Sequence, residues 1–205
     1  MAATAASGMM RAHMAHTLQQ IDDDPTTIAF GVHETSLGTC VVGVTDTHIC
    51  YLALIEPAEE GRAERQLARV WARARLVRDD AKTRLVAALL NDAARDGLSL
   101  SLLVRGTDFE LAVWQALMEV PHGSTVTYAE LARRVGRPSA VRAVGNACNK
   151  NHIAVLIPCH RAVRSDGRSG NYRFGASKKA LLLAGEARRI AMEARVSAAR
   201  IPSGA

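Results

Sequence analysis

The spacing of apolar residues changes period along the chain. Between residues 27 and 55 they fall in three short runs, 27–32, 38–44 and 49–55, rich in Val, Ile, Leu and Cys. The links Glu34-Thr35-Ser36 and Thr45-Asp46-Thr47 are short and polar, so the pattern predicts three strands joined as antiparallel hairpins. Over 63–78 and 82–95 the spacing becomes helical, and Leu85, Ala88 and Leu89 form one stripe of the second helix. Residues 99–104 read as a short linking strand. Helical signals dominate after Gly106. Thr107 caps a helix carrying Phe109, Val113, Trp114 and Leu117, and Pro121-His122-Gly123 ends it. Thr127 caps a short helix over 128–135, Gly136 stops it, and a second helix opens around Pro138 and runs to about Asn149. Helix, glycine turn, helix is the layout of a helix-turn-helix, although ordinary helix pairs share it.

The fold class that follows is an α/β N-terminal domain, a small antiparallel sheet plus helices over 27–100, followed by a mostly α domain over 101–190 with a helix-turn-helix. Residues 1–26 are expected to be a flexible tail, and 191–205 a helix end and tail. The chain has 205 residues and 48% apolar side chains, enough for a real core. No apolar run reaches the length that spans a bilayer, so no membrane partner is expected.

Charge sharpens the division. The net charge is +6, and it is uneven: residues 1–100 carry 10 basic and 13 acidic side chains, residues 101–205 carry 16 and 7. The basic half suits a polyanion, with Arg133, Arg134, Arg137, Arg142 and Lys150 on or beside the helix pair; a solvated basic surface is the alternative. The four cysteines form no C-x-x-C pair and the seven histidines are scattered, so no metal site is expected. Without a secretory signal, a cytoplasmic setting with reduced thiols follows.

The most informative stretch is Pro158-Cys159-His160-Arg161, entered through the apolar run 153–157. A cysteine there with a histidine beside it is a candidate thiolate nucleophile; a buried cysteine next to a surface histidine is the other reading. The surroundings favour the first. From Gly106 to Glu186 the chain resembles the O6-alkylguanine-DNA alkyltransferases (methylated-DNA–protein-cysteine methyltransferases), whose signature is P-C-H-R. The resemblance runs through Gly106-Thr107-Asp108-Phe109, Val113-Trp114-Gln115-Ala116-Leu117, Pro121-His122-Gly123, Thr127-Tyr128, Arg142-Ala143-Val144, Asn151, Asp166-Gly167, Tyr172-Arg173-Phe174-Gly175, Lys178 and Leu181-Leu182.

The resemblance implies a repair protein that flips O6-alkylguanine out of duplex DNA and moves the alkyl group irreversibly to its own cysteine, without a metal, redox or nucleotide cofactor. It implies Cys159 as nucleophile, His160 as general base through a water, Glu186 as the group orienting His160, and Tyr128 as proton donor to the leaving base. Arg142 takes the place of the arginine that fills the gap left by the flipped base. Small residues at Ala140, Ala143, Gly145 and Ala147 would allow close approach to a minor groove. Asn151 would tie the second helix to the active-site segment, Pro158 and Arg161 would be structural, and Tyr172, Arg173 and Gly175 would form a pocket loop whose backbone N–H groups face the guanine. A monomer on double-stranded DNA is the expected state. The resemblance also makes the first hundred residues ribonuclease-H-like. The alternatives are a non-catalytic lesion-binding protein, a helix-turn-helix regulator, and a Cys-His hydrolase of a small substrate. Cys148, with no histidine beside it, is read as packing.

Overall fold

A computed structural model describes residues 16–91, 99–168 and 170–199. In the first half, the three predicted strands form as β2 (Thr27–Thr35), β3 (Gly38–Val44) and β4 (Ile49–Leu54), paired antiparallel in that order. Strand β1 (Thr17–Gln20) and strand β5 (Arg75–Arg78) join β6 (Ser101–Val104) in the same sheet, whose order is β1-β6-β4-β3-β2-β5. The pairings β1–β6, β4–β6 and β2–β5 are parallel, so the expected antiparallel sheet is in fact mixed.

Both faces of this sheet are covered, and alternation along the strands explains how. Cys40, Val42 and Val44 of β3 pack with Ala87 and Leu90 of helix α2 (Asp80–Asn91), while Val41, Tyr51 and Ala53 pack with Ala63, Leu67 and Trp71 at helix α1 (Glu60–Val70). Successive strand residues point to opposite faces, so a strand covered on both sides reads as a continuous apolar run. Helix α2 sits so close to β2 that a Cβ at Gly31 would lie 2.2 Å from Thr83 Oγ1 and 2.9 Å from Asp80 Cα. Only glycine fits there.

Several sequence expectations are corrected here. The tail expected over 1–26 contains β1; residues 1–15 lie outside the described residues. The helix expected over 63–78 ends at Val70, because Trp71 turns into the core and donates its indole N–H to Cys50 O at 3.2 Å; β5 follows. On α2 the buried positions are Thr83, Ala87 and Leu90, whereas Leu85 is 79% exposed. Thr83 can be buried because its hydroxyl bonds Asp79 O and pairs with His33 Nε2. The end of that helix as read, 92–95, lies outside the described residues. The boundary at 100/101 also moves: β6 belongs to the sheet, so the sheet lobe runs to Val104.

The second half is built from helix α3 (Asp108–Met118), helix α4 (Tyr128–Arg134), helix α5 (Val141–Lys150) and helix α6 (Ala176–Ala199), with a small parallel pair, β7 (Val126–Thr127) and β8 (Ala162–Val163). Both predicted caps form. Thr107 and Glu110 make a reciprocal capping box, and Thr127 Oγ1 accepts from Glu130 N at 3.0 Å. Gly136, at φ 71°, turns the chain between α4 and α5. Pro138 lies in that turn rather than in the first turn of α5, which is preceded by Ala140. The C-terminal helix continues to Ala199, well into the segment expected to be its end and tail; residues 200–205 lie outside the described residues.

One feature of the sheet positions the chemistry. The edge of β4 is shared: Ile49 pairs with β6, and further along Leu52 N donates to His152 O while Ala154 N donates to Leu52 O. The sheet therefore holds the segment leading to Cys159 as if it were one more strand.

Candidate active site

Between α5 and Cys159 the chain is irregular. Val155 has φ 68°, a left-handed conformation that is strained for a β-branched residue and costs on the order of 1–3 kcal/mol. Leu156 N closes onto Ala154 O at 2.7 Å, and Pro158 precedes a single 3-10 turn, Cys159–Arg161. Asn151 binds this knot together. Its amide donates to Ile157 O at 2.9 Å and to Cys159 Sγ at 3.1 Å, and its Oδ1 accepts from Ile153 N at 2.9 Å. The family resemblance implies a tie between α5 and the cysteine segment here; it does not include the bond to the sulfur.

His160 and Glu186 meet as expected. His160 Nε2 lies 2.8 Å from Glu186 Oε1. An ionised carboxylate only accepts, so Nε2 carries the hydrogen and Nδ1 keeps its lone pair. Nδ1 is buried without a hydrogen-bond partner. Burial lowers the His160 pKa against the pull of Glu186, leaving a neutral imidazole at pH 7. Burial alone would raise Glu186, but the bonds from His160 and Arg161 outweigh it and hold the carboxyl well below the usual range. Arg161 donates through Nε and Nη2 to Glu186 and through Nη1 to Val120 O, and Gly123 N adds a donor at 2.9 Å. Arg161 therefore fixes the carboxylate rather than facing the sulfur.

Cys159 itself is 2% exposed, and burial pushes its thiol up to about 11, opposed by Asn151 and by the charge of Lys179. The resting form is thus the neutral thiol, which needs a base to become the nucleophile. Lys179 escaped the sequence reading, which named Lys178. Its ammonium is buried, donates to Ala162 O at 2.5 Å and stands 5.9 Å from the Tyr128 ring centroid. Burial lowers its pKa, while Cys159 and Cys148 pull it back up. No signal in the sequence separates it from its equally basic neighbour; only the phase of α6 buries Lys179. Lys178 instead pairs with Glu56. Cys148 is buried, consistent with packing, and all four cysteines are free.

Beside this centre lies a cavity of about 620 Å³, lined among others by Tyr128, Arg142, Gly145, Arg164, Gly170 and Asn171. Cys159 is not in its wall. Burial pushes the Tyr128 phenol up to about 12, so it is a protonated donor at pH 7; the hydroxyl donates to Asn171 O at 3.2 Å. The outer face of α5 shows Arg142, Ala143 and Asn146, with Gly145 and Ala140 half-buried. Ala147 is in the core, where its carbonyl accepts from Trp114 Nε1, so it offers nothing to a groove. Lys150 pairs with Glu110, and Arg133 and Arg134 with Glu130, which reduces the basic side chains left over near the helix pair.

Of the expected pocket loop and its neighbours, Gly170 and Asn171 line this cavity and 172–175 do not. Tyr172 turns inward, edge-on to His160 with centroids 6.3 Å apart. Arg173 turns away, and Gly175 N closes a turn onto Tyr172 O, so that N–H cannot face a base.

Comparison with known proteins adds to this geometry. Residues 108–188 match the family described as 6-O-methylguanine DNA methyltransferase, DNA binding domain. The Escherichia coli protein named bifunctional transcriptional activator/DNA repair enzyme Ada is 40% identical over 165 residues, 78% of this chain and 46% of its own length. A probable methylated-DNA–protein-cysteine methyltransferase of Acanthamoeba polyphaga mimivirus is 35% identical over 129 residues, 53% of this chain and 86% of its own. Among solved structures, Mycobacterium tuberculosis OGT in complex with DNA superposes with a TM-score of 0.62 at 28% identity, covering 78% of this chain and 94% of that one. The chain spans about half the length of the first curated relatives it matches.

Proposed function

The chain belongs to the methylated-DNA–protein-cysteine methyltransferase family, and from that premise we propose that it repairs O6-alkylguanine in double-stranded DNA by taking the alkyl group onto Cys159. The observation that carries the reading is the pairing of His160 Nε2 with Glu186, which leaves a buried basic Nδ1 on the residue adjoining the thiol.

A thiol held near 11 is ionised in only about one molecule in 10⁴ at pH 7, so an unaided thiolate would be slow. His160 Nδ1 takes the thiol proton, directly or through one water, and Glu186 stabilises the imidazolium. Asn151 and Lys179 stabilise the sulfur anion as it forms. The Sγ–C bond forms as the C–O6 bond breaks, and Tyr128 supplies the proton that lets guanine leave neutral. The base thus gains the Tyr128 hydrogen and sulfur gains the alkyl group, while His160 releases the thiol proton to solvent and Tyr128 recovers one from it, so that the net change is one hydrogen onto guanine in exchange for one alkyl group onto sulfur. A thioether is not returned to thiol by ordinary reductants, so each chain acts once.

The target base is flipped from the stack into the cavity lined by Tyr128 and Gly145, and Arg142 fills the space left behind. We read α4, the Gly136 turn and α5 as a helix-turn-helix that lays Arg142, Ala143 and the exposed side of Gly145 along a minor groove. The sheet lobe is read as ribonuclease-H-like, supported by the β2–β3–β4 meander with β5 returning parallel beside β2. The protein works as a monomer, and its free, buried thiols suit a reducing cytoplasm. Among the described residues no helix is long and apolar enough to cross a membrane.

The test is Cys159→Ala. It is expected to abolish transfer from O6-methylguanine DNA while retaining DNA binding; labelled methyl appearing on this variant would overturn the assignment.

A further inference from the structure

We infer that Arg173 is a positioning residue through which helix α1 of the sheet lobe fixes the substrate-facing loop, and thereby limits the alkyl group the site admits. This rests on the alkyl-transfer reading above. The loop is engaged on every side. Asn171 O accepts from Tyr128, Tyr172 packs on His160, and Phe174 packs against both hydrophobic clusters. Arg173 points toward the other lobe: Nη1 donates to Asn149 O at 3.0 Å and Nη2 to Gln66 Oε1 at 3.2 Å. Its guanidinium also lies 5.9 Å from the Phe174 ring centroid.

One planar fork therefore joins α1, the end of α5 and the loop. Asn149 lies two residues before Asn151, the donor to Cys159 Sγ, so the fork steadies both the nucleophile's support and the cavity wall. A lysine, with a single point charge, cannot hold both acceptors in fixed geometry. Gln66 is half-buried on α1 and takes no part in the chemistry, so the tie can be cut at a distance. With the tie in place, Gly170 and Asn171 stay against Tyr128; a Cβ at Gly170 would already be 3.0 Å from the Tyr128 hydroxyl. Once it is cut, the wall has room to move outward. A bulky group gains from that room and a methyl group does not.

The test uses the full chain and its Gln66→Ala, Gln66→Glu, Arg173→Ala, Arg173→Lys and Gln66→Ala/Arg173→Ala variants. Two quantities are measured: hydrogen exchange of the peptide covering 170–175, and the rates of Cys159 alkylation by duplexes containing O6-benzylguanine or O6-methylguanine. Loss of one solvent-screened, part-buried hydrogen bond should speed loop exchange in Gln66→Ala roughly two- to tenfold and raise the benzyl-to-methyl rate ratio by a similar factor. Arg173→Lys should behave like Gln66→Ala, Gln66→Glu like the unaltered protein, and Gln66→Ala should add nothing to Arg173→Ala. Unchanged loop exchange in Gln66→Ala overturns the tie, and faster exchange with an unchanged ratio overturns its role in selectivity. If the unaltered protein accepts alkyl groups from neither duplex, it is the transfer reading that fails, and the exchange data still decide the tie.

Discussion

Replacing Asn151 by alanine separates what this residue does for the fold from what it does for the sulfur. Asn151 is fully buried and makes three hydrogen bonds, to Ile157 O, Cys159 Sγ and Ile153 N. The variant leaves Ile153 N buried without a partner, at about 1–3 kcal/mol, whereas Ile157 O keeps the donor Cys159 N and loses about 0.5–1.5 kcal/mol, so a stability loss of roughly 2–4 kcal/mol is expected. The third bond matters most when the sulfur is charged. Donation to an anion is worth about 1.5–3 kcal/mol, or roughly 10–100-fold in the rate of alkyl transfer. Urea unfolding reads the first quantity. Single-turnover alkylation, at a temperature where the variant remains folded, reads the second. Asn151→Asp is the companion: it keeps the acceptor for Ile153 N but places a carboxylate against the sulfur, so transfer should fall further than in the alanine variant. A folded Asn151→Ala protein reacting within about twofold of the unaltered rate would refute the reasoning, because Asn151 would then support the backbone alone.

Two further outcomes follow from buried titratable groups. His152 is clasped edge-on between Trp71 and Trp114, with centroids 6.0 and 5.9 Å away, and burial lowers its pKa from 6.5 to about 4. The folded state therefore resists a proton that the unfolded chain binds, so stability is undiminished above pH 6.5 and falls between pH 6.5 and 4, by about 3 kcal/mol in all. In His152→Leu this contribution to the acid limb of the urea-midpoint profile should vanish, and an unchanged limb would count against it. Glu186→Gln should unfold more readily by about 3–5 kcal/mol, because Arg161 loses its buried counter-charge, and should transfer roughly 10²–10⁴-fold more slowly, because an amide can present a hydrogen to Nε2 and reverse the tautomer. Single-turnover kinetics and denaturation on the same preparation check both, and a near-normal rate would remove Glu186 from the relay.

Part of the candidate site was legible because its signals are local: Cys159 and His160 are neighbours, and Thr107 and Thr127 cap the helices they precede. Glu186, 26 residues beyond His160, was named only through the family resemblance. What escaped depends on packing between elements distant in sequence. The segment 63–78 has helical spacing throughout, yet the burial of Trp71 ends the helix and Arg75–Arg78 pairs beside β2. The buried face of α2 is set by the missing Cβ of Gly31, which lets Thr83 displace Leu85 from the core. Lys178 and Lys179 have the same composition and opposite surroundings, which only helix phase decides. The path of the pocket loop depends on where Gln66 and Asn149 end up, and no periodicity encodes that.

The most direct measurement is the intact and peptide mass of the protein after incubation with duplex DNA containing a single O6-methylguanine. The account predicts that each chain gains one methyl group in place of one hydrogen, confined to the peptide carrying Cys159, with unmodified guanine restored in the DNA and no second turnover. Methyl loss from DNA with Cys159 unmodified, or a methyl group on Cys148 instead, would contradict it.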